Sequence, residues 1–181
     1  MTARLFCLGA CLVALGVLSG PMGKANAQSN TVEQQVGWVS DVRGMRHFSG
    51  LRCPDIVGEL FRTKVLAADA DRLAGCVYSG REGLRAILRQ HVPGTSSRAA
   101  SDYLNSYRSS GFRRVQLSGA GAGGITFVTN DWTPNIQYET LWRFAGEKAD
   151  FTVWMSYTLP QQETDIGPAF AAFTDILNRQ N

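Results

Sequence analysis

Histidine, cysteine and uninterrupted apolar stretches are all scarce in this 181-residue chain. Only His47 and His91 offer an imidazole, and no G-x-S-x-G elbow, H-E-x-x-H helix or cysteine–histidine signature accompanies them. The longest apolar run, 5–18, is shorter than the roughly 20 residues that cross a bilayer and is broken by Gly9 and Gly16. Asp69 and Asp71 lack the further oxygen ligands, central glycine and closing glutamate of a calcium loop, so they read as a solvated turn. No cofactor and no metal site are therefore expected.

What the N-terminus does contain is the three-part pattern of a secretory signal: a basic start at Arg4, the short apolar run, and Ala25-Asn26-Ala27 before a polar segment. Residues 1–27 are expected to be cleaved, leaving a loose segment 28–35, one domain over 36–181 and no transmembrane span. The alternative of lipidation at Cys11, in Leu8-Gly9-Ala10-Cys11, is disfavoured because the apolar run continues beyond it. Cleavage removes two of the 18 basic residues and none of the 15 acidic ones, so the mature net charge is +1 and nucleic acid is not an expected partner. It also leaves only Cys53 and Cys76, which in an oxidising compartment are most simply one disulfide. The expected location is periplasmic or secreted.

Two amphipathic helices stand out. Over 97–110 the stripe is Ala100, Tyr103, Leu104 and Tyr107, with Thr95 or Ser96 to cap it and Gly111 to end it. Over 165–178 it is Ile166, Phe170, Phe173 and Leu177, with Pro168 expected in the first turn. Between them the period is two. Tyr138, Thr140, Trp142 and Phe144, then Phe151, Val153, Met155 and Tyr157, form a hairpin with one apolar face. Further strands are expected at 45–53, 72–78, 84–91, 113–117 and 125–129, with a turn at 131–135, while 55–66 fits either helix or strand. Trp142 belongs to the core, whereas Trp154 is on the polar side of its strand, exposed with Trp132 or covered by a helix.

Strands joined by short turns give an α+β class built mainly on an antiparallel sheet. The order of elements resembles the PsbP-like fold of small secreted or lumenal accessory proteins, a resemblance that carries no residue roles.

The glycine run QLSGAGAGGITFVT, 116–129, invites comparison with a phosphate loop, but a strand rather than a helix follows it. It reads instead as a flexible connection between strands, with a flap as its functional alternative. Arginine is concentrated between 81 and 114, where seven arginines face two acids. Arg81, Arg85, Arg89, Arg113 and Arg114 are the candidate contacts for an anionic partner, an envelope protein or an anionic lipid surface. The sequence thus points to an exported binding or accessory protein of the cell envelope. Its rivals are a hydrolase that brings His47 or His91 to a distant carboxylate, and an inhibitor acting through the loop at 119–124.

Overall fold

The computed structural model describes residues 37–131 and 134–180. The expected signal segment 1–27, the stretch 28–35 and Trp132 lie outside the described residues. In chain order the elements are β1 (Trp38–Asp41), β2 (Gly44–His47), β3 (Arg52–Pro54), β4 (Ile56–Val57), β5 (Leu60–Leu66), β6 (Arg72–Ser79), β7 (Arg85–His91), α1 (Ser96–Ser109), β8 (Arg113–Val115), β9 (Ile125–Asn130), β10 (Ile136–Phe144), β11 (Asp150–Leu159) and α2 (Glu163–Asn178). All strand pairings are antiparallel. Eight strands form one sheet in the order β4-β5-β6-β7-β11-β10-β9-β8, and β1-β2-β3 form a second, smaller one.

Alternation sorts the large sheet into two unequal faces. One carries Cys76, Tyr78, Leu88, Trp142, Val153, Met155 and Tyr157 into the main core, which α2 and the small sheet close. There α2 buries Ile166, Ala169, Phe173 and Leu177, and Phe173 meets Tyr78 edge-on at 5.4 Å. The other face is covered by α1, more lightly: the expected stripe of Ala100, Tyr103, Leu104 and Tyr107 is only half-buried. The disulfide joins Cys53 to Cys76 with Cα atoms 6.2 Å apart, inside the usual range. It ties β3 of the small sheet to β6 of the large one.

Several expectations change. The single strand expected over 45–53 is a hairpin. Its three turn residues end at Gly50, whose φ of +94° suits glycine, and its strands keep Met45 opposite Cys53, both facing inward. The even spacing was real; the chain simply reverses in the middle of it. Residues 55–66 resolve as two antiparallel strands, β4 and β5, which bury Val57, Leu60 and Val65. Helix α2 starts two residues before the expected position, so Pro168 lies beyond the first turn.

The glycine run does connect β8 to β9, but it is not a free flap. A 3-10 turn over Gly119–Gly121 packs on α2, Gly121 is buried, and Ala120 approaches Gly167. Two of its glycines have distinct reasons. Gly119 takes φ +61°, whereas a Cβ at Gly124 would collide with Thr140 and lie 3.0 Å from Trp142 Nε1.

Candidate functional site

The five arginines singled out by sequence do not share one surface. Arg81 pairs with Glu59 at 2.8 Å and lies 3.9 Å from Asp165. Arg85 and Arg114 are exposed in one cross-sheet row on the α1 side, but β11, β10 and β9 separate their strands. At about 4.8 Å per strand that is a gap of roughly 19 Å. Arg113 alternates to the opposite face. Arg89 is largely covered and donates to the Ala67 carbonyl at 3.0 Å.

A different basic cluster forms where the chain carries no local run of charge. Register places Arg46 on β2 directly across from Arg52 on β3, with Val39 of β1 on the other side of Arg46. Opposed residues in an antiparallel pair have Cα atoms about 4.5–5.5 Å apart, and like charges there repel. Arg52 also lines a hollow of about 410 Å³ with Arg43 in the β1–β2 turn and Arg179 at the end of α2, where Asp41 is the one acidic residue of the lining. Gln180 fixes the helix end to β3, accepting from the Arg52 N–H at 2.9 Å and donating to the Arg52 carbonyl at 3.1 Å. None of these four arginines has an ion-pair partner among the described residues. By contrast Arg62, Arg72, Arg81, Arg89 and Arg98 all lie within ion-pair distance of an aspartate or glutamate. The same small sheet exposes Val42 at 96% and Phe48 at 80%.

The histidines are both deep. His47 contacts Trp38 and Phe48, and its Nδ1 is 2.7 Å from the Ser49 hydroxyl, which in turn lies 2.5 Å from Gln90 Oε1. His91, 2% exposed, shares a hydrogen bond of 2.8 Å with Thr152 Oγ1. Burial, aided by Arg72 and Arg89, holds its pKa below the ordinary 6.5, so the ring is neutral at pH 7.

Asp150 faces His91 across the β7–β11 pair. Its carboxylate instead accepts from the Ser96 N–H at 3.0 Å and the Ser96 hydroxyl at 2.6 Å. This corrects the expected cap of α1. Thr95 occupies the cap position but spends its hydroxyl on the Val92 carbonyl, and a remote aspartate satisfies the helix end and its dipole. His91 thus lines a concavity with a carboxylate close by, as the hydrolase reading requires. Yet Ser96 and Thr152, the hydroxyls they hold, are themselves buried.

Trp154 is beneath α1. Its Nε1 donates to Glu139 Oε2 at 3.2 Å and Tyr107 Oη at 3.3 Å, while Tyr107 donates to the same carboxylate. Asp69 pairs with Arg72 and Asp71 with Arg98, as suits a solvated turn. Among the described residues no group of three or more potential ligands is arranged to hold a metal ion, and no helix is long and apolar enough to cross a membrane. Comparison with known protein families, with curated proteins and with solved structures gives no match to this chain.

Proposed function

We propose that the mature chain is an exported, periplasmic or secreted accessory protein of the cell envelope that binds an anionic surface through its three-stranded sheet, without a cofactor. The observation that carries this reading is the opposition of Arg46 and Arg52, neither of which has an ion-pair partner among the described residues. Such a pair costs stability in the free protein and is offset when an anion lies over it. Arg43 and Arg179 widen the positive area, and Val42 at the turn tip offers an apolar contact of the kind that enters a headgroup layer. The disulfide and the absence of a membrane-crossing helix among the described residues accord with export.

Sedimentation with vesicles of phosphatidylglycerol in phosphatidylcholine tests the proposal. Raising salt from about 10 mM to about 1 M shortens the Debye length from about 30 Å to about 3 Å and is expected to release the protein. At about 1 kcal/mol per surface arginine, each of Arg43→Gln, Arg46→Gln and Arg52→Gln is expected to weaken partitioning about fivefold. No retention at low salt, or retention that ignores these substitutions, overturns the proposal. An Arg85→Gln/Arg114→Gln double variant measures what the strand arginines on the opposite face add.

A further inference from the structure

The light seating of α1 leaves a second concavity on the other side of the large sheet from the basic hollow. Between the first turns of α1 and strands β5, β6, β7, β11 and β10 is a cavity of about 230 Å³. That is below the roughly 300–1,000 Å³ typical of pockets for drug-sized ligands, so its occupant must be small. Ile87, Leu141 and Trp154 make an apolar floor, and Ala99 and Tyr103 of α1 make one wall.

Polar groups converge at one end. Arg89 lies flat across Gly75, where a Cβ would come within 2.5 Å of its Cδ, so the absence of a side chain there sets the path of the arginine. Its Nη1 is anchored on the Ala67 carbonyl, whereas the nearest carboxylate, Asp69, is 4.0 Å from its Nη2. Asp69 is already held by two hydrogen bonds from Arg72, at 2.5 and 2.8 Å. Arg72 and Arg89 therefore share the Asp69 carboxylate, with Arg89 at the limit of ion-pair distance, and the other carboxylate near this end, Asp150 opposite His91, is held by Ser96. His91, neutral, adds no charge, and its Nδ1 has no hydrogen-bond partner among the described residues.

From this arrangement we infer that the cavity beneath α1 binds a small amphiphilic monoanion: a single carboxylate on Arg89, carried by an aryl or short acyl body lying on Ile87, Leu141 and Trp154. A carboxylate matches the planar fork of the guanidinium, which Asp69 reaches only at 4.0 Å. The site is independent of the anionic surface proposed for the small sheet, since the two are on opposite faces of the large sheet.

The test is NMR titration of the intact mature protein with benzoate and with octanoate, using benzyl alcohol as the uncharged control. At least one acid is expected to give a saturable shift of the Trp154 indole N–H together with the Ala99 and Tyr103 amides, and benzyl alcohol to bind roughly tenfold more weakly or worse. Arg89→Gln is expected to remove that preference for the acid, and Arg89→Lys to keep part of it. Ala99→Trp, which fills the cavity from the exposed helix, is expected to abolish binding while leaving the rest of the spectrum folded. Because Ala99→Trp does not disturb the Arg89 anchor, it covers the case in which Arg89→Gln fails to fold. No saturable shift with either acid up to about 10 mM, equal affinity for the alcohol, or binding that survives Ala99→Trp overturns the inference.

Discussion

Asp150 and His91 are directly opposite one another where β11 begins and β7 ends, yet each is hydrogen-bonded to a different hydroxyl. Asp150 caps α1 through Ser96, and His91 is bound to Thr152. Burial alone would raise the Asp150 carboxyl, but the Ser96 hydroxyl and the N–H groups of Ser96, Gly146 and Gly94 hold it below the ordinary 3.8. The acid is here spent on joining a helix to the sheet, and the base on joining two of its strands.

Those two shifts contribute to the acid limb of stability. His91 titrates lower in the folded than in the unfolded chain, so its contribution is complete above the unfolded value of 6.5 and declines as pH falls below it. Asp150, also depressed, contributes fully above 3.8 and loses its share as pH drops through its folded pKa. The urea midpoint is expected to fall between about pH 7.5 and pH 5.5, and His91→Gln to flatten that fall. Asp150→Asn is expected to cost about 1–3 kcal/mol at neutral pH by leaving the helix end poorly satisfied. A midpoint constant across this range in the unaltered protein would contradict the account of His91.

Cys53 and Cys76 are buried and connect the two sheets across 23 residues. In the chain-entropy picture their bond is worth about 3 kcal/mol. The double variant Cys53→Ala/Cys76→Ala is expected to lower unfolding stability by about that amount. It is also expected to increase hydrogen exchange in β1–β3 before the remainder of the large sheet, because the link holds the small sheet in place. Uniform loss of protection across both sheets would show that the small sheet does not depend on it.

The glycine run separates two kinds of glycine. At Gly119 an alanine meets no neighbour but inherits a φ of +61°, a strain of about 1–2 kcal/mol. At Gly124 the new Cβ has no room against Thr140 and Trp142, so Gly124→Ala is expected to cost about 1–3 kcal/mol and to shift the Trp142 resonances. A stable Gly124→Ala protein with unmoved Trp142 signals would refute the close-packing account.

Much of this architecture was legible because its cause is periodic. Helices at 97–110 and 165–178 and the hairpin at 138–157 follow from stripes and alternation, and Cys53 and Cys76 were paired by elimination. Illegible features depend on register and on distant partners. Alternation from Met45 to Cys53 survives a reversal of the chain, so it hid the turn that brings Arg46 to Arg52. Arg52 and Gln180, 128 residues apart, meet only once α2 has docked. The helix cap failed for the same reason: Thr95 was adjacent in sequence, but Asp150 was the better acceptor in space. Local composition favoured the arginines at 81–114, several of which the fold then neutralised or dispersed.

Reversing one charge in the arginine pair gives the sharpest separation of stability from function. Arg52→Glu turns a repulsive cross-strand pair into an attractive one, and such pairs are worth about 0.2–1 kcal/mol. Because the main-chain bonds between Arg52 and Gln180 do not involve the arginine side chain, the contact with α2 is preserved. The variant is therefore expected to unfold at slightly higher urea than the unaltered protein while losing association with anionic vesicles. Restoring a like pair with Arg46→Glu in the same molecule should reverse the stability gain but not recover binding. If Arg52→Glu is destabilised, Arg46 and Arg52 do not repel as their register implies. If it is more stable and still binds vesicles, the small sheet is not the docking face.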